Sequence, residues 1–136
     1  MTMIETTGAV DALAQRIDTI EEAYEFMLAY AAQGRRDERG AAEPGIRTFL
    51  NRIDAALVRL EEIAVAAARE GDAKAFGPVI EVLAEDAARA QALVRFVLAR
   101  PSIGSQLIDN LNASIHLRAL LTDLFLIDEW LKGDAA

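Results

Sequence analysis

Four segments of the sequence place apolar residues every three or four positions, which is the spacing of one face of an α-helix. The first segment shows the pattern most clearly. Its apolar positions are Val10, Leu13, Ile17, Ile20, Tyr24, Met27 and Ala31. Alanine is abundant and strand-type clusters of Val, Ile and Thr are missing, so the composition favours helices as well. The pattern predicts an all-α protein.

Glycine and proline residues mark the ends of the four predicted helices. Gly34 and Gly71 follow the first and second apolar segments, and Pro44 suits the first turn of the second. Pro101 closes the third segment, and Ser102 is placed to cap the fourth. The approximate bounds of the predicted helices are 7–32, 45–70, 73–99 and 103–132.

The helices have similar lengths, and two of the three connections between them are short. Short connections make consecutive helices antiparallel neighbours, so the predicted architecture is an up-down-up-down four-helix bundle. We expect residues 1–136 to form one domain, with residues 1–6 and 133–136 frayed.

The charge of the chain bears on its partners and its location. Its formal net charge is −8 and its sequence pI about 4.6, so its surface repels phosphate backbones and anionic lipids. We therefore expect no nucleic acid and no membrane among its partners. The first ten residues lack the basic and apolar regions of a signal peptide, and no apolar run is long enough for a membrane span. These features predict a cytoplasmic protein.

Three charged residues interrupt the apolar faces near the middle of their helices: Glu21, Asp86 and Arg118. Middles of helices meet in an antiparallel bundle, and an unpaired buried carboxylate is costly. We therefore predict a buried polar layer in which Arg118 faces Glu21, Asp86 or both. The layer can fix helix register, or alternatively line a pocket for a small ligand.

Glu21, Glu22 and Glu25 form the motif EExxE. This motif resembles the first acidic motif of the all-α nucleoside triphosphate pyrophosphohydrolases of the MazG type. The resemblance implies carboxylates that hold magnesium against a triphosphate. It covers five residues, and the second acidic motif of that family, ExxD, has no match: the sequence offers Asn51-x-x-Asp54 instead.

The chain contains one histidine, His116, and no cysteine. The absence of cysteine excludes disulfides, thiolate zinc sites and cysteine nucleophiles, and a single histidine excludes multi-histidine metal sites. We also expect no nucleophilic triad. We expect no metal and no cofactor, and an enzymatic activity is the less favoured reading.

Further apolar residues lie outside the predicted core faces. Phe26 and Tyr30 point away from the first apolar stripe, Phe96 does so in the third helix, and the apolar face of the fourth helix shifts near His116. A helix that is apolar nearly all round needs a second partner. The predicted interface residues are Phe26, Tyr30, Leu117, Leu120, Leu124, Ile127, Trp130 and Leu131. Alternatively, the long loop and the termini cover these side chains.

Together these patterns predict a non-enzymatic protein-interaction or regulatory module. Its expected partner is a second copy of itself, bound through the first and fourth helices, and possibly another protein. The alternative is a small-ligand-binding protein or a magnesium-dependent hydrolase that uses Glu21, Glu22 and Glu25.

Overall fold

The protein is all-α in its computed structural model, which describes residues 2–71 and 73–133 and, for side chains, residues 8–71 and 74–132. No strand occurs among the described residues. The helices are α1 (Thr2–Ala31), α2 (Ile46–Leu57), α3 (Leu60–Glu70), α4 (Ala73–Leu98), α5 (Ser105–Ala113) and α6 (Ile115–Gly133). The predicted fold class is confirmed at this level.

The described residues form six helices where four were predicted, because the second and fourth predicted helices are each interrupted. The first and third were placed within a few residues of α1 and α4. The helix α1 includes residues 2–6, and α6 includes Gly133, although both were predicted to be frayed. Met1 and residues 134–136 lie outside the described residues.

The break between α2 and α3 lies at Val58 and Arg59. Arg59 adopts the left-handed conformation, with φ of 62°, which a residue with a Cβ atom rarely adopts. The side chain of Arg16 on α1 donates hydrogen bonds to the carbonyl oxygens of Ala56 (2.9 Å) and Val58 (2.6 Å). Arg16 therefore satisfies acceptors at the end of α2 that no longer have helical partners.

The break between α5 and α6 lies at Ser114, whose backbone is extended. Its hydroxyl oxygen accepts a hydrogen bond from the backbone N–H of His116 and so caps the start of α6. The apolar pattern of the sequence changes close to this point, where one helix ends and the next begins. Ser102 does not cap a helix, because α5 begins after Gly104.

The helix α4 continues through Gly77 and Pro78, although proline inside a helix usually breaks it. A residue that precedes proline normally avoids helical geometry because its Cβ clashes with the proline ring. Gly77 has no Cβ, so the helix passes this position.

One hydrophobic core runs through all six helices. The helix α1 packs against α2, α3 and α5, while α4 packs against α2, α3 and α6. The fully buried large side chains include Leu13, Ile17, Ile20, Met27, Leu50, Ile53, Leu83 and Ile108.

The segment 32–45, which connects α1 to α2, is tied to the α4–α5 connection by a hydrogen-bond network. Ser105 lies at its centre: its hydroxyl donates to the carbonyl of Tyr30 (2.6 Å) and accepts from the N–H of Arg35 (2.8 Å). The N–H of Ser105 donates to the carbonyl of Arg35 at 2.8 Å. A Cβ on Gly104 would lie 2.8 Å from the carbonyl oxygen of Arg36, so only glycine permits this close approach.

Glu38 strengthens the same network from the middle of the segment. Its carboxylate accepts hydrogen bonds from Arg47 (2.6 Å) and from the N–H of Ile103 (2.8 Å). Arg47 also donates to the carbonyls of Leu98 and Arg100, at the end of α4. This end of the molecule, which we call the loop end, is therefore held together by polar contacts between two connections.

Candidate functional site

The two aromatic residues of α1 that were predicted to point outwards are covered within the single chain. Tyr30 is 1% exposed, and its hydroxyl donates a hydrogen bond to the carbonyl of Ile103. Burial raises the pKa of Tyr30, and Glu38 adds to the increase. Phe26 stacks on Phe49 with ring centroids 4.2 Å apart. The predicted outward direction of Tyr30 is therefore wrong, because the segment 32–45 and the α4–α5 connection close over it.

Most of the α6 residues that were predicted to form an interface are also buried in the single chain. Leu117, Leu120, Leu124 and Ile127 are at most 3% exposed, and Leu131 is half-buried. The break at Ser114 turns the second apolar face of this segment into the core, so the prediction that this face points outwards is wrong. Trp130 does point outwards and is 43% exposed.

The exposed large apolar side chains of the described residues concentrate on α4 and α6. Of nine such residues, only Leu28 and Val58 lie elsewhere. Four of the others line one groove between the two helices, and two lie further along the same helices: Val79, Val82, Leu126 and Trp130, and then Phe96 and Ile115. We call this set the α4–α6 seam. Phe96, predicted to face outwards, is 74% exposed.

The helices α4 and α6 run in opposite directions along this seam. Near the start of α4, Phe76 contacts Trp130 near the end of α6, with ring centroids 5.0 Å apart in an edge-to-face arrangement. Further along α4, Asp86 lies beside Asp123, which is earlier in α6. Helix geometry then aligns Val82 with Phe96 on α4 and Ile115 with Leu126 on α6, since each pair is separated by nearly whole turns.

A groove of about 330 Å³ opens at the Trp130 end of the seam. Buried Phe76 and Ile127 lie at its base, while Val79, Val82, Leu126 and Trp130 stand at its sides. Asp123 is the one charged residue among the described residues of its lining. The groove is thus an apolar depression with one acidic side chain, and its volume is near the lower limit of ligand pockets, roughly 300 Å³.

The acidic side chain in the groove is paired with a second carboxylate. The pKa of Asp123 is raised to about 7, and burial is the largest cause. A hydrogen bond to Asp86 and the negative charge of Asp86 also raise it. Oδ2 of Asp123 is buried and has no hydrogen-bond donor among the other described residues. A proton shared between Asp86 and Asp123 would remove the repulsion between two neighbouring carboxylates. Arg89 lies 3.7 Å from Asp86.

The predicted buried polar layer is not formed as expected. Arg118 is exposed, and no ion pair within the described residues joins it to Glu21 or Asp86. The prediction that Arg118 faces one of these residues is wrong, because α6 turns Arg118 away from the core. Asp86 contacts Asp123 instead, a residue that the periodicity did not single out.

Glu21 lies in a separate group of charges between α1 and α6. Its pKa is raised first by burial, then by the negative charges of Asp128 and Asp18, while Lys132 lowers it. Glu22 and Glu25, the other carboxylates of the EExxE motif, are exposed. Among the described residues, no group of three or more His, Asp or Glu side chains is arranged to hold a metal ion.

A second cavity, of about 580 Å³, lies beside the loop end. Its lining includes Arg35, Arg36, Arg100 and Asp109. The Arg35 side chain is already engaged, since it donates to the Gln33 side chain at 2.8 Å. Its lining has mixed charges, and among the described residues none of the buried polar side-chain atoms that lack a partner belongs to it, so we do not treat it as a ligand site.

Comparison with protein-family models gives no match, and comparisons with curated proteins and with solved structures give no significant match. Within the described residues, no helix combines the length and the apolar character that a membrane span requires. The geometry of the seam therefore carries the functional argument.

Proposed function

We propose that this protein is a non-enzymatic interaction module that forms a homodimer through the α4–α6 seam. The observation that supports the proposal is the concentration of exposed apolar side chains on these two helices. Phe96, Ile115 and Leu126 are each at least 67% exposed. Water-exposed apolar area of this kind is stabilised by burial against a partner.

The size of the seam fits an interface between two copies. The exposed fractions of its six side chains correspond to roughly 600 Å² of apolar surface, since a large aromatic side chain contributes about 150–250 Å². That is the upper range for the largest apolar patch of a monomer. With the neighbouring polar residues added, it approaches the roughly 800 Å² per partner of a standard interface.

The scaffold that we propose beneath the seam is an antiparallel up-down-up-down four-helix bundle with two interrupted helices. The helices α2 and α3 together form one rod, and α5 and α6 form another. The packing of α1 against α2, α3 and α5, and of α4 against α2, α3 and α6, supports this arrangement. In it, the outer face of α4 and α6 forms one side of the bundle.

The experiment is solution mass by size-exclusion chromatography with light scattering, over a series of protein concentrations. We expect a dimer for the wild type. Leu126→Glu places a charge in the seam, and we expect it to give folded monomers, because burying an unpaired carboxylate in an interface is costly. A wild type that stays monomeric throughout the series contradicts the proposal.

Phe125→Glu is the matched control. Phe125 neighbours Leu126 on α6 and is 47% exposed, but it lies outside the groove lining and points away from α4. We expect this variant to remain dimeric. If Phe125→Glu and Leu126→Glu dissociate the dimer equally, the interface is not the seam, and α6 contacts its partner through another face.

The second candidate function is binding of a small apolar ligand that carries an amine, in the same groove. The buried carboxyl of Asp123 in an otherwise apolar lining is the observation that favours it. A monomeric wild type whose Trp130 fluorescence changes on addition of a hydrophobic amine, and does not change in Asp123→Asn, supports this function instead. Among the described residues, the EExxE carboxylates do not form a metal site, so we do not propose the magnesium-dependent reaction.

A further inference from the structure

We propose that the two copies dock in opposite directions along the seam, so that Phe96 and Ile115 of each copy fill the groove of the other. This inference rests on the proposed homodimer and specifies its geometry. The seam has two unlike ends. One end is the groove beside Trp130, and the other carries the two most exposed large apolar side chains among the described residues, Phe96 at 74% and Ile115 at 75%.

The spacing of the two ends permits this docking. Asp86, beside Asp123, lies between Val79 and Phe96 on α4, roughly 10 Å from the first and 15 Å from the second at 1.5 Å per residue. A two-fold axis that crosses the seam near residue 87 exchanges its two ends. It places Phe96 of one copy over Val79 and Ile115 over Leu126 of the other.

The charges in the middle of the seam favour the same geometry. Arg89 contacts Glu85 and Asp86 in its own chain only at 3.9 and 3.7 Å, and its side chain is 54% exposed. With the axis near residue 87, Arg89 of each copy lies opposite Glu85 of the other. Two reciprocal ion pairs then form at the centre of the interface, and they specify the direction of docking.

The alternative two-fold arrangement places groove against groove. Two facing depressions of about 330 Å³ each would then leave an unfilled cavity, which is costly in an otherwise close-packed interface. Phe96 of one copy would also meet Ile115 of the other at the far end, outside both grooves. Opposite-direction docking fills both grooves with side chains that are already exposed.

Disulfide cross-linking tests the geometry directly, because the chain contains no cysteine. The test protein carries Ile115→Cys together with Leu126→Cys, both at exposed positions. Within one chain these residues are roughly 16 Å apart along α6, which is too far for a disulfide. We expect the double variant to give a covalent dimer under mild oxidation, and each single variant to give none above background.

The control carries Ile115→Cys with Phe125→Cys, which has the same number of thiols on the same helix. We expect it to cross-link no faster than the single variants. A wild type that is dimeric by light scattering, combined with an Ile115→Cys/Leu126→Cys variant that does not cross-link, overturns the docking geometry but leaves the homodimer in place. A monomeric wild type overturns both.

Discussion

The loop end and the α4–α6 seam both carry aromatic residues outside the main apolar stripes, yet the fold treats them differently. At the loop end, Tyr30 is covered by two connections, and its hydroxyl has a carbonyl partner in Ile103. At the seam, Trp130 contacts Phe76 along one edge and leaves 43% of its surface exposed. The first region is covered within one chain, whereas the second leaves large apolar side chains exposed.

The comparison shows how polar contacts between connections can cover aromatic side chains within one chain. Ser105, the first residue of α5, joins the end of α1 to the segment 32–45. Glu38 joins the same segment to the α4–α5 connection. Together they hold the segment over the end of α1. Within the described part of the chain, no comparable polar network draws a connection over the seam. Its apolar side chains stay exposed in the single chain.

The largest expected effect separates the two aromatic residues. Tyr30→Glu places a charge in a closed, apolar site, and we expect it to lower the free energy of unfolding by about 4 kcal/mol or more, enough to unfold a marginally stable domain. Trp130→Glu replaces a partly exposed side chain, and we expect a loss of about 1 kcal/mol. Circular dichroism during thermal unfolding measures both. Equal melting temperatures for the two variants would contradict the contrast.

An intermediate effect is expected where the loop end is packed most tightly. Gly104→Ala forces its Cβ against the backbone carbonyl of Arg36, and we expect a loss of about 2 kcal/mol in urea unfolding. Gly8→Ala on α1 is the control, because a Cβ there meets no atom within 4 Å. It should leave stability unchanged or raise it by up to about 1 kcal/mol. A Gly104→Ala variant as stable as Gly8→Ala would mean that the two connections separate easily.

The smallest expected effect concerns the acidic pair in the seam. The folded-state pKa of Asp123, about 7, is above the usual aspartate value of 3.8, so the folded state holds its proton more tightly than the unfolded state. This contribution to stability is complete below about pH 4 and is lost as the pH rises towards 7. We expect Asp123→Asn to remove that slope and to be more stable than the wild type at pH 8 by about 1 kcal/mol.

Urea unfolding from pH 4 to pH 8, at one protein concentration, measures this slope. Asp11→Asn, at an exposed position on α1, controls for the loss of one negative charge. If Asp123→Asn and Asp11→Asn follow the wild-type pH profile in parallel, Asp86 and Asp123 do not share a proton.

The sequence was sufficient for the fold class and for the positions of α1 and α4, because their apolar positions repeat without interruption. It did not reveal the breaks at Arg59 and Ser114. At Arg59 the break depends on Arg16, a residue more than 40 positions earlier, whose contacts no local pattern encodes. At Ser114 the sequence does contain a signal, because the apolar face shifts near His116. The same shift also predicts a second exposed face on one continuous helix, and periodicity alone does not distinguish the two.

The candidate site was predicted less well than the fold. Helical periodicity gives the direction of a side chain relative to its own helix, but not what other segments place over it. It therefore assigned the same role to Tyr30 and Trp130, and it could not show that Asp123 reaches Asp86 across two helices. The exposed pair Val82 and Leu126 becomes apparent only when α4 and α6 lie side by side.

The close approach at Gly104 also determines how the molecule responds to proteases. The segment "RRDER" offers three arginines to a trypsin-like enzyme, which needs several residues in extended form within its cleft. The carbonyl of Arg35 accepts a hydrogen bond from Ser105, and that of Arg36 lies against Gly104. Cleavage there must wait until the segment separates from the α4–α5 connection, so its rate reports the equilibrium for that local opening.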